Sequence, residues 1–458
     1  MTDLPNEIET LRTINKALRE QIEQLKAEIA ELCRRLGLDS TNSSKPPSSD
    51  GYKKKTTKPG IPKDETRANG GQTGHKGKTL ERVANPDHVE IHLPGQCQCC
   101  GRHFTQGDAH EVIQSRQVFD LPEPKLEITE HQIARVECCG LLQCGKYPAT
   151  VNAAVQYGPG VKAFVSSLSV AHKMPLEQIS QLFEDMYGYD LNSSTVLGAL
   201  DLGHELIAPV EGQIIEHLLK QNVVNFDETG IRVKGKLYWL HTASTENQTH
   251  LFVHEKRGAK ALESVASPLK DFKGKAVHDC WKPYFAFKDA SHFLCGAHLL
   301  RELDGLIENG SLWAGKMHTL LLDLYKTSRP ILIGEGDVRS RYRAILTQAD
   351  QEEPPPQRGK RGRPKQSPGR NLFDRLKEHE NGALGFAFEA GVPFTNHQAE
   401  RDLRGAKVKQ KVSGCFRTEQ GARVYARLQA AISTFRKQGL NVFATLRDLF
   451  ARRPVVVV

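Results

Sequence analysis

Four stretches decide the fold: NVVNFDETG (residues 222–230), KLYWLHTAS (236–244), THLFVHEK (249–256) and GKAVHDCWKPY (274–284). β-Branched and aromatic residues dominate them, a composition that predicts strands. The first three predict a meander whose first strand, Val223 to Phe226, runs into Asp227. The fourth predicts a strand from Lys275 to Val277 that delivers Asp279. Two aspartates at the ends of adjacent strands can bind the same divalent ions, because Mg²⁺ prefers oxygen ligands and keeps positions open for phosphate.

A helix further along the chain predicts the third carboxylate. The stretch TNHQAERDLRGAKVKQK (residues 395–411) contains Glu400, with Asn396 and Arg404 one turn away on the same face. Two metal ions about 3.5–4 Å apart could then activate a water or a 3′-hydroxyl. If Glu400 does not complete the set, Glu380 or Glu389 could. Together with Arg404, the basic residues that we expect to contact DNA phosphates are Lys407, Lys409, Lys411 and Arg417.

The composition allows a polyanionic partner. The 458 residues include 63 Lys and Arg against 54 Asp and Glu, a formal charge of +9. Residues 45–82, 357–377 and 401–417 carry +6, +7 and +5, so the rest of the chain carries −9. Such local patches favour nucleic acid, although basic linkers can also serve solubility alone. No apolar run approaches the roughly 18 residues of a membrane span, and the polar N-terminus is unlike a secretory signal.

The N-terminal residues predict a coiled coil. Leu recurs at every seventh position, and mostly Ile recurs with the same period four residues later, a heptad typical of parallel dimers. Asn15 at a core position favours one register and the dimer state. The alternative is an amphipathic helix packed on its own chain. The heptad positions are Leu4, Leu11, Leu18, Leu25 and Leu32, with Ile8, Asn15, Ile22, Ile29 and Leu36.

The cysteines predict a small zinc-binding module. Six of the ten lie between Cys97 and Cys144, a clustering that indicates a metal site in a reducing cytoplasm rather than a disulfide scaffold. Cys97-x-x-Cys100-Gly is half of a zinc knuckle, and we expect Cys139 and Cys144 to supply the other two thiolates. The spacing of the second half is irregular, so Cys138 is also a candidate. The alternative is a set of buried free thiols.

Two basic or helical motifs have more than one interpretation. Residues 175–200 have the spacing of a helix-turn-helix, with Asn192 or Ser193 capping the second helix, but plain helical packing is favoured. Arg361 and Arg363 belong to an Arg-Gly-Arg-Pro segment within a second Pro-rich linker. This segment fits either an AT-hook in a narrow minor groove or a simple flexible linker.

The stretch CGAHLLREL contains the pair Cys295-x-x-His298. This pair could be half of a metal site, but no second half is visible nearby in the sequence. A structural role is therefore favoured, with Arg301 near DNA.

The combination of motifs resembles the large transposase of the insertion-sequence family number sixty-six, a group of bacterial DDE transposases. The resemblance implies that Asp227, Asp279 and Glu400 are the DDE triad on a ribonuclease-H-like core, with Mg²⁺ or Mn²⁺ as cofactor. It also implies strand cleavage and strand transfer at the terminal inverted repeats of the element, together with small accessory proteins. His397 departs from the family pattern, which often has a second Asn there. The motifs that carry the resemblance are the heptads, NSSKPPSSD (residues 42–50), the cysteines, FDETG, VHDCWKPY, CGAHLLREL, NHQAERDLR and KQKVSGCFRTEQGA.

These observations predict a DNA transposase of the α/β class in the bacterial cytoplasm, associated with the nucleoid and homodimeric through its coiled coil. One alternative is a non-catalytic, dimeric, zinc-containing DNA-binding regulator. Another is a nuclease relative that acts on RNA or hybrid duplexes. The predicted parts are a coiled coil (1–38), a disordered basic linker (39–82), a zinc module (83–150), a helical segment (151–222) and a catalytic core (223–450) with a helical insertion at about 290–390.

Overall fold

The computed structural model describes residues 11–25, 80–327, 334–356 and 366–458. They form two compact units, residues 80–130 with 185–188 and the remaining described residues. Half of the heptad positions, most of the first linker, and Arg361 and Arg363 lie outside the described residues. Residues 11–25 are helical (α1), and the apolar heptad residues within them are 49–60 % exposed, namely Leu11, Leu18, Ile22 and Leu25.

The smaller unit is held mainly by side-chain hydrogen bonds. An isolated bridge between Gln96 and His103 closes the turn that contains the first cysteines. The Gln117 side chain accepts the Val83 N–H at 2.9 Å and donates to the Val83 carbonyl at 2.8 Å. Arg82 donates to the Ser115 hydroxyl at 2.6 Å.

A short β-hairpin lies near residue 140 in the larger unit. Strands β1 (Arg135–Cys138) and β2 (Leu141–Cys144) are antiparallel, with Cys138 opposite Leu141. Cys139 and Gly140 form the turn with φ of +54° and +73°. Two positive φ angles in a two-residue loop are those of a type I′ turn, whose twist matches that of the strands.

The predicted helical segment is present. Asn192 caps the fourth helix, because its side chain accepts the Ser194 N–H at 2.8 Å. That helix packs against the C-terminal helices, since a Cβ on Gly203 would lie 3.1 Å from Phe450 and 3.4 Å from Leu428. This packing agrees with the interpretation favoured for residues 175–200. The helices are α2 (Pro159–Ser166, continued by a π-turn at Ser167–Ala171), α3 (Leu176–Tyr187), α4 (Ser193–Leu206) and α5 (Ala208–Leu219).

The centre of the larger unit is a mixed five-stranded sheet in the order β5-β4-β3-β6-β7. The predicted meander is confirmed, since β3, β4 and β5 are antiparallel neighbours, and β6 and β7 run parallel to β3. Strand β3 is longer than the sequence predicted, because DETGIRV pairs with β4 as far as Val233 opposite Lys236. The strands are β3 (Val223–Val233), β4 (Lys236–Ser244), β5 (Thr249–His254), β6 (Lys275–His278) and β7 (Ser291–Leu294).

Helices follow and cover the sheet. Five of them, α7 to α11, share a core around Trp313, Tyr342 and Phe373 and agree with the predicted helical insertion. The next two helices pack on strands β3 to β5. The helices are α6 (Ala259–Leu262), α7 (Gly296–Ile307), α8 (Leu312–Lys326), α9 (Glu335–Glu352), α10 (Pro368–Glu378), α11 (Glu380–Phe388), α12 (His397–Ser413), α13 (Glu419–Lys437) and α14 (Val442–Phe450).

The two ends of this five-helix insertion meet. The Gly296 N–H donates to the Phe394 carbonyl at 2.7 Å, and the Asn396 N–H lies 3.2 Å from Cys295 Sγ. Glycine is required at position 296, because a Cβ there would overlap the Phe394 ring. The chain therefore enters and leaves the insertion at one place.

Helix α13 packs on β5 and buries the apolar residues Leu428, Ala431, Ile432 and Phe435. A buried ion pair between Lys437 Nζ and Asp402 Oδ2, 2.8 Å long, joins α13 to α12.

No helix within the described ranges is long and apolar enough to cross a membrane.

Candidate active site

Strand register sets the first two carboxylates side by side. Strands β3 and β6 are parallel, with Val223 opposite Lys275 and Asn225 opposite Val277. Continuing this register by two residues sets Asp227 level with Asp279 on strands about 4.8 Å apart. Each carboxylate is also held by the local backbone. The Asp227 carboxylate accepts the Glu228 N–H at 2.9 Å, and the Asp279 carboxylate accepts the Trp281 N–H at 3.1 Å.

A fully buried asparagine attaches the third carboxylate to the same strand. Asn396 immediately precedes α12, and its side-chain amide donates to the Phe226 carbonyl at 2.8 Å, one residue before Asp227. The backbone carbonyl of Asn396 accepts the Glu400 N–H at 3.2 Å. The first turn of α12 is therefore fixed against β3, and Glu400 lies close enough to Asp227 to affect its ionisation.

The carboxylates repel one another. Burial raises the pKa of Asp227 well above its ordinary value, and the negative charges of Glu228, Asp279 and Glu400 raise it further. Burial, followed by the charge of Glu228, raises the pKa of Asp279 to about 7, although Arg257 and Arg375 partly oppose the shift. A cluster with this excess of negative charge favours a bound proton or a cation.

The carboxylate oxygens are nevertheless not closely packed. Among the described residues, Asp227, Asp279 and Glu400 do not form a set whose oxygens all lie within 4.8 Å of one another. The set that meets this criterion consists of Cys295, His298 and Glu400.

A second polar network, which the sequence analysis missed, borders the two aspartates. Glu228 is buried and accepts hydrogen bonds from the Tyr284 hydroxyl and from Arg257 Nε, the latter at 2.7 Å. The Arg257 guanidinium lies between two indoles, 4.9 Å from the centre of Trp239 and 4.2 Å from that of Trp281. One of its nitrogens is 3.9 Å from Asp279. Strand alternation could have predicted that Glu228 faces away from Asp227, but not that Arg257 would meet it.

Helix α7 supplies two side chains near Glu400, and the first turn of α12 supplies a third. His298 Nδ1 lies 3.9 Å and Arg301 Nη2 lies 3.5 Å from Glu400 Oε1, and His397 Nε2 lies 3.9 Å from Oε2. The CGAHLLREL stretch therefore borders the candidate site, and Arg301 contacts a carboxylate of that site. The sequence signal was the Cys-x-x-His spacing, but its partner Glu400 lies about a hundred residues away in the chain.

The insertion also reaches the second aspartate. Arg375 on α10 forms an ion pair with Glu302 on α7 and a hydrogen bond to the thiol of Cys280, the residue after Asp279. The insertion thus contributes positive charge next to Asp279, which lowers its pKa and partly offsets the effect of burial.

The alternative third carboxylates are engaged elsewhere. Glu380 forms ion pairs with Arg339 and Arg343, both at 2.9 Å. Glu389 forms an ion pair with Lys275 at 2.8 Å. Both are paired with cations away from the two aspartates. The charge of Glu400, in contrast, raises the pKa of Asp227, so Glu400 is the favoured third carboxylate.

The basic residues after Glu400 separate into two groups. Lys407 donates to the Gly230 carbonyl at 2.6 Å and Lys409 to the Ser169 carbonyl at 3.2 Å, so both are partly buried against their own chain. The exposed members of the predicted set are Arg404, Lys411 and Arg417.

The first cysteine pair has the backbone of a metal-binding turn. Cys97 donates its N–H to the Arg102 carbonyl at 2.8 Å and accepts the Gly101 N–H at 2.9 Å. Gly101 has a φ of +74°, which favours glycine. The backbone N–H groups of Cys100 and Cys99 point at the Cys97 thiol and lower its pKa. These features suit a thiolate ligand of zinc.

The hairpin does not bring the two expected cysteines of the second half together. Cys139 lies in its turn, whereas Cys144 pairs with Arg135 at its far end. Three residues of strand separate them by about 10 Å, and both cannot reach one ion at about 2.3 Å in this register. Cys138 is the cysteine beside Cys139, with the two sulfurs 3.7 Å apart.

Comparison with known proteins identifies the family. Residues 2–81 match a family of unknown function (DUF6444). The search of curated proteins gives no significant match. Residues 154–424 match the model of the transposase IS66 family, a range that includes Asp227, Asp279 and Glu400. Since this match spans more than half of the chain, the protein belongs to the IS66 family of transposases.

Proposed function

We propose that this transposase nicks the ends of its insertion sequence and transfers the freed 3′-hydroxyl strand to target DNA by two-metal-ion chemistry. The observation that carries the proposal is the parallel register of β3 and β6, which brings Asp227 level with Asp279. Glu400 supports it, because its charge raises the pKa of Asp227. The mixed sheet with its antiparallel meander supports a ribonuclease-H-like core.

The side chains fit Mg²⁺ or Mn²⁺ as the resident ions. All three proposed ligands are carboxylates, the hard oxygen donors that these ions prefer. Their mutual repulsion supports the same choice, because a divalent cation would relieve it without protonation. When bound, the ions would polarise the phosphodiester and lower the pKa of an attacking water or hydroxyl.

The chain itself would position the triad and attract the substrate. Asn396 holds the first turn of α12 on β3, so it would fix Glu400 relative to Asp227. Arg257 and Arg301 supply positive charge at two edges of the carboxylate cluster. This charge would draw in an anionic phosphodiester, which the carboxylates alone would repel.

Further proposals concern the remaining parts of the chain. We propose a homodimer through the N-terminal coil, which the exposed heptad residues of α1 support. We propose zinc binding by Cys97 and Cys100, which the backbone N–H groups at the Cys97 thiol support. DNA binding by Arg404, Lys411 and Arg417 is supported by their exposure. Contacts from Lys407 and Lys409 would require them to leave the Gly230 and Ser169 carbonyls, and Arg361 and Arg363 lie outside the described residues. Cooperation with accessory proteins at the nucleoid stays a proposal from the family resemblance.

The test is cleavage of labelled element-end DNA by the full-length protein with Mg²⁺ or Mn²⁺. Asp227→Asn, Asp279→Asn and Glu400→Gln should abolish cleavage while DNA binding and the circular dichroism spectrum stay unchanged. Glu389→Gln is the matched control, because it neutralises a carboxylate in a peripheral ion pair and should stay active.

Two results would contradict the proposal. Full cleavage by Glu400→Gln would show that a residue other than Glu400 supplies the third carboxylate. DNA binding without cleavage by the unchanged protein, with either ion, would instead favour the non-catalytic regulator.

A further inference from the structure

Three side chains from two distant parts of the chain converge beside the proposed triad. The Sγ of Cys295, a ring nitrogen of His298 and a carboxylate oxygen of Glu400 all lie within 4.8 Å of one another. The His298 Nδ1 to Glu400 Oε1 distance is 3.9 Å. In a tetrahedral zinc site the ligand atoms lie about 3.3–3.8 Å apart, as bond lengths of about 2.0–2.3 Å require. Small side-chain adjustments would therefore close this set around one ion.

Cys295 has the surroundings of a metal-bound thiolate. It is buried at the N-terminus of α7, and its Sγ lies 3.2 Å from the Asn396 N–H. The His298 N–H donates instead to the Cys295 backbone carbonyl at 3.1 Å. Burial and the charge of Glu400 raise the pKa of the Cys295 thiol to about 11, so a cation would have to displace its proton, and the Asn396 N–H would then stabilise the thiolate.

His298 offers a free lone pair. Its Nδ1 is buried and has no hydrogen-bond partner among the described residues. Buried polar atoms are nearly always paired, so an unpaired ring nitrogen facing a carboxylate and a thiol indicates a missing ligand. The Cys-x-x-His spacing at the start of a helix places both side chains on the same turn.

We propose that Cys295, His298 and Glu400 bind a thiophilic divalent cation such as Zn²⁺, at a site that overlaps the proposed Mg²⁺ site at Glu400. A sulfur, a nitrogen and one oxygen select Zn²⁺, Co²⁺ or Cd²⁺ over Mg²⁺. Three protein ligands leave the fourth position open to water. Arg301, whose Nη2 is 3.5 Å from Glu400 Oε1, opposes a cation there and weakens its binding.

The site shares Glu400 with the triad, so its consequence for catalysis rests on the proposed function. A cation held by Cys295 and His298 would draw Glu400 towards α7 and away from Asp227. Zn²⁺ would then inhibit Mg²⁺-dependent cleavage. Binding itself does not depend on catalysis, so the two ideas can fail separately.

The experiment measures Co²⁺ and Zn²⁺ bound to the metal-free full-length protein without DNA. Other cysteines, Cys97 among them, can also bind these ions, so the readout is the difference between wild type and Cys295→Ser. We expect Cys295→Ser to bind one metal ion fewer per protein than wild type does. It should also lose part of the thiolate-to-Co²⁺ absorption. Cys415→Ser, which removes an exposed thiol, is the matched control and should match wild type.

Two further variants make the result independent of the folding of Cys295→Ser. His298→Gln should weaken binding of the same metal ion by at least roughly 10–100-fold, the loss that removal of even an outer-shell partner causes. Arg301→Ala should tighten it. Equal stoichiometry and spectra in wild type, Cys295→Ser and His298→Gln would overturn the proposal and leave the DDE assignment intact. Loss of Co²⁺ binding by Cys295→Ser with retained Mg²⁺-dependent cleavage would support both.

Discussion

Replacing Asp279 by asparagine should make the protein more stable while removing its activity. Burial and the charge of Glu228 raise the pKa of Asp279 from 3.8 to about 7, and the side chain is only 25 % exposed. Each pKa unit between the folded and unfolded chain corresponds to about 1.4 kcal/mol, so ionised Asp279 lowers the free energy of unfolding by about 4 kcal/mol at pH 8. Burying the asparagine amide costs about 2 kcal/mol of this, so the net gain is roughly 2 kcal/mol.

The sign of the pH dependence follows from the raised pKa. The folded chain binds the Asp279 proton more tightly than the unfolded chain, so the stability from this group falls as the pH rises from 3.8 through 7. The advantage of Asp279→Asn is therefore largest at pH 8 and shrinks at pH 5.

Thermal unfolding at both pH values, in metal-free buffer and with Mg²⁺, checks this prediction. A gain of about 2 kcal/mol should raise Tm at pH 8 by roughly 3 °C in a unit of this size, at about 2.1 cal/mol/K of unfolding entropy per residue. Mg²⁺ should stabilise the wild type more than the variant, because a ligand stabilises the state that binds it. Asp271→Asn is the control, since its carboxylate is 62 % exposed and should leave Tm unchanged. A variant less stable than wild type at pH 8 without metal would refute the reasoning.

Three further substitutions test how the site is supported. Asp402→Ala should cost about 3–5 kcal/mol, because it removes the counter-charge of the largely buried Lys437 ammonium, which would keep only neutral hydrogen-bond acceptors, and Lys437→Met in the same chain should restore much of the loss in chemical denaturation. Asn396→Ala should lower Mg²⁺-dependent cleavage in a gel assay without weakening DNA binding, and should cost about 1–3 kcal/mol through the unpaired Phe226 carbonyl. Gly296→Ala should lower the unfolding free energy by about 1–3 kcal/mol, because its Cβ would overlap a buried ring, and an unchanged Tm would contradict that packing.

Local sequence pattern was sufficient for much of the fold. β-Branched and aromatic residues predicted the meander, and of the two candidates for the helix cap, Asn192 and Ser193, the structure has Asn192. Asp227 and Asp279 could be paired in advance because each follows a short apolar strand. These features depend on neighbours within about ten residues.

Features that depend on distant contacts could not be predicted in this way. The pairing of Glu228 with Arg257 follows from where the chain returns after β5. The convergence of Cys295 with Glu400 depends on how the insertion closes. Lys409 was expected to face DNA because it is charged, but its side chain is folded back on the protein, with its ammonium group over the Tyr425 ring and within reach of the Ser169 carbonyl. A long amphipathic side chain can bury its stem in this way, and charge alone does not reveal it.

The meeting of the two ends of the insertion has a consequence for how this transposase can vary. Because the Gly296 N–H donates to the Phe394 carbonyl, about a hundred residues of chain are tied off at their base. The number of residues between Asp279 and Glu400 then says nothing about the distance between their side chains. Residues could be added to the loops between these helices, in nature or by engineering, without displacing either carboxylate. Helices α10 and α11 are not free to be lost in this way, because Arg375 lies beside Asp279 and α11 packs on β7.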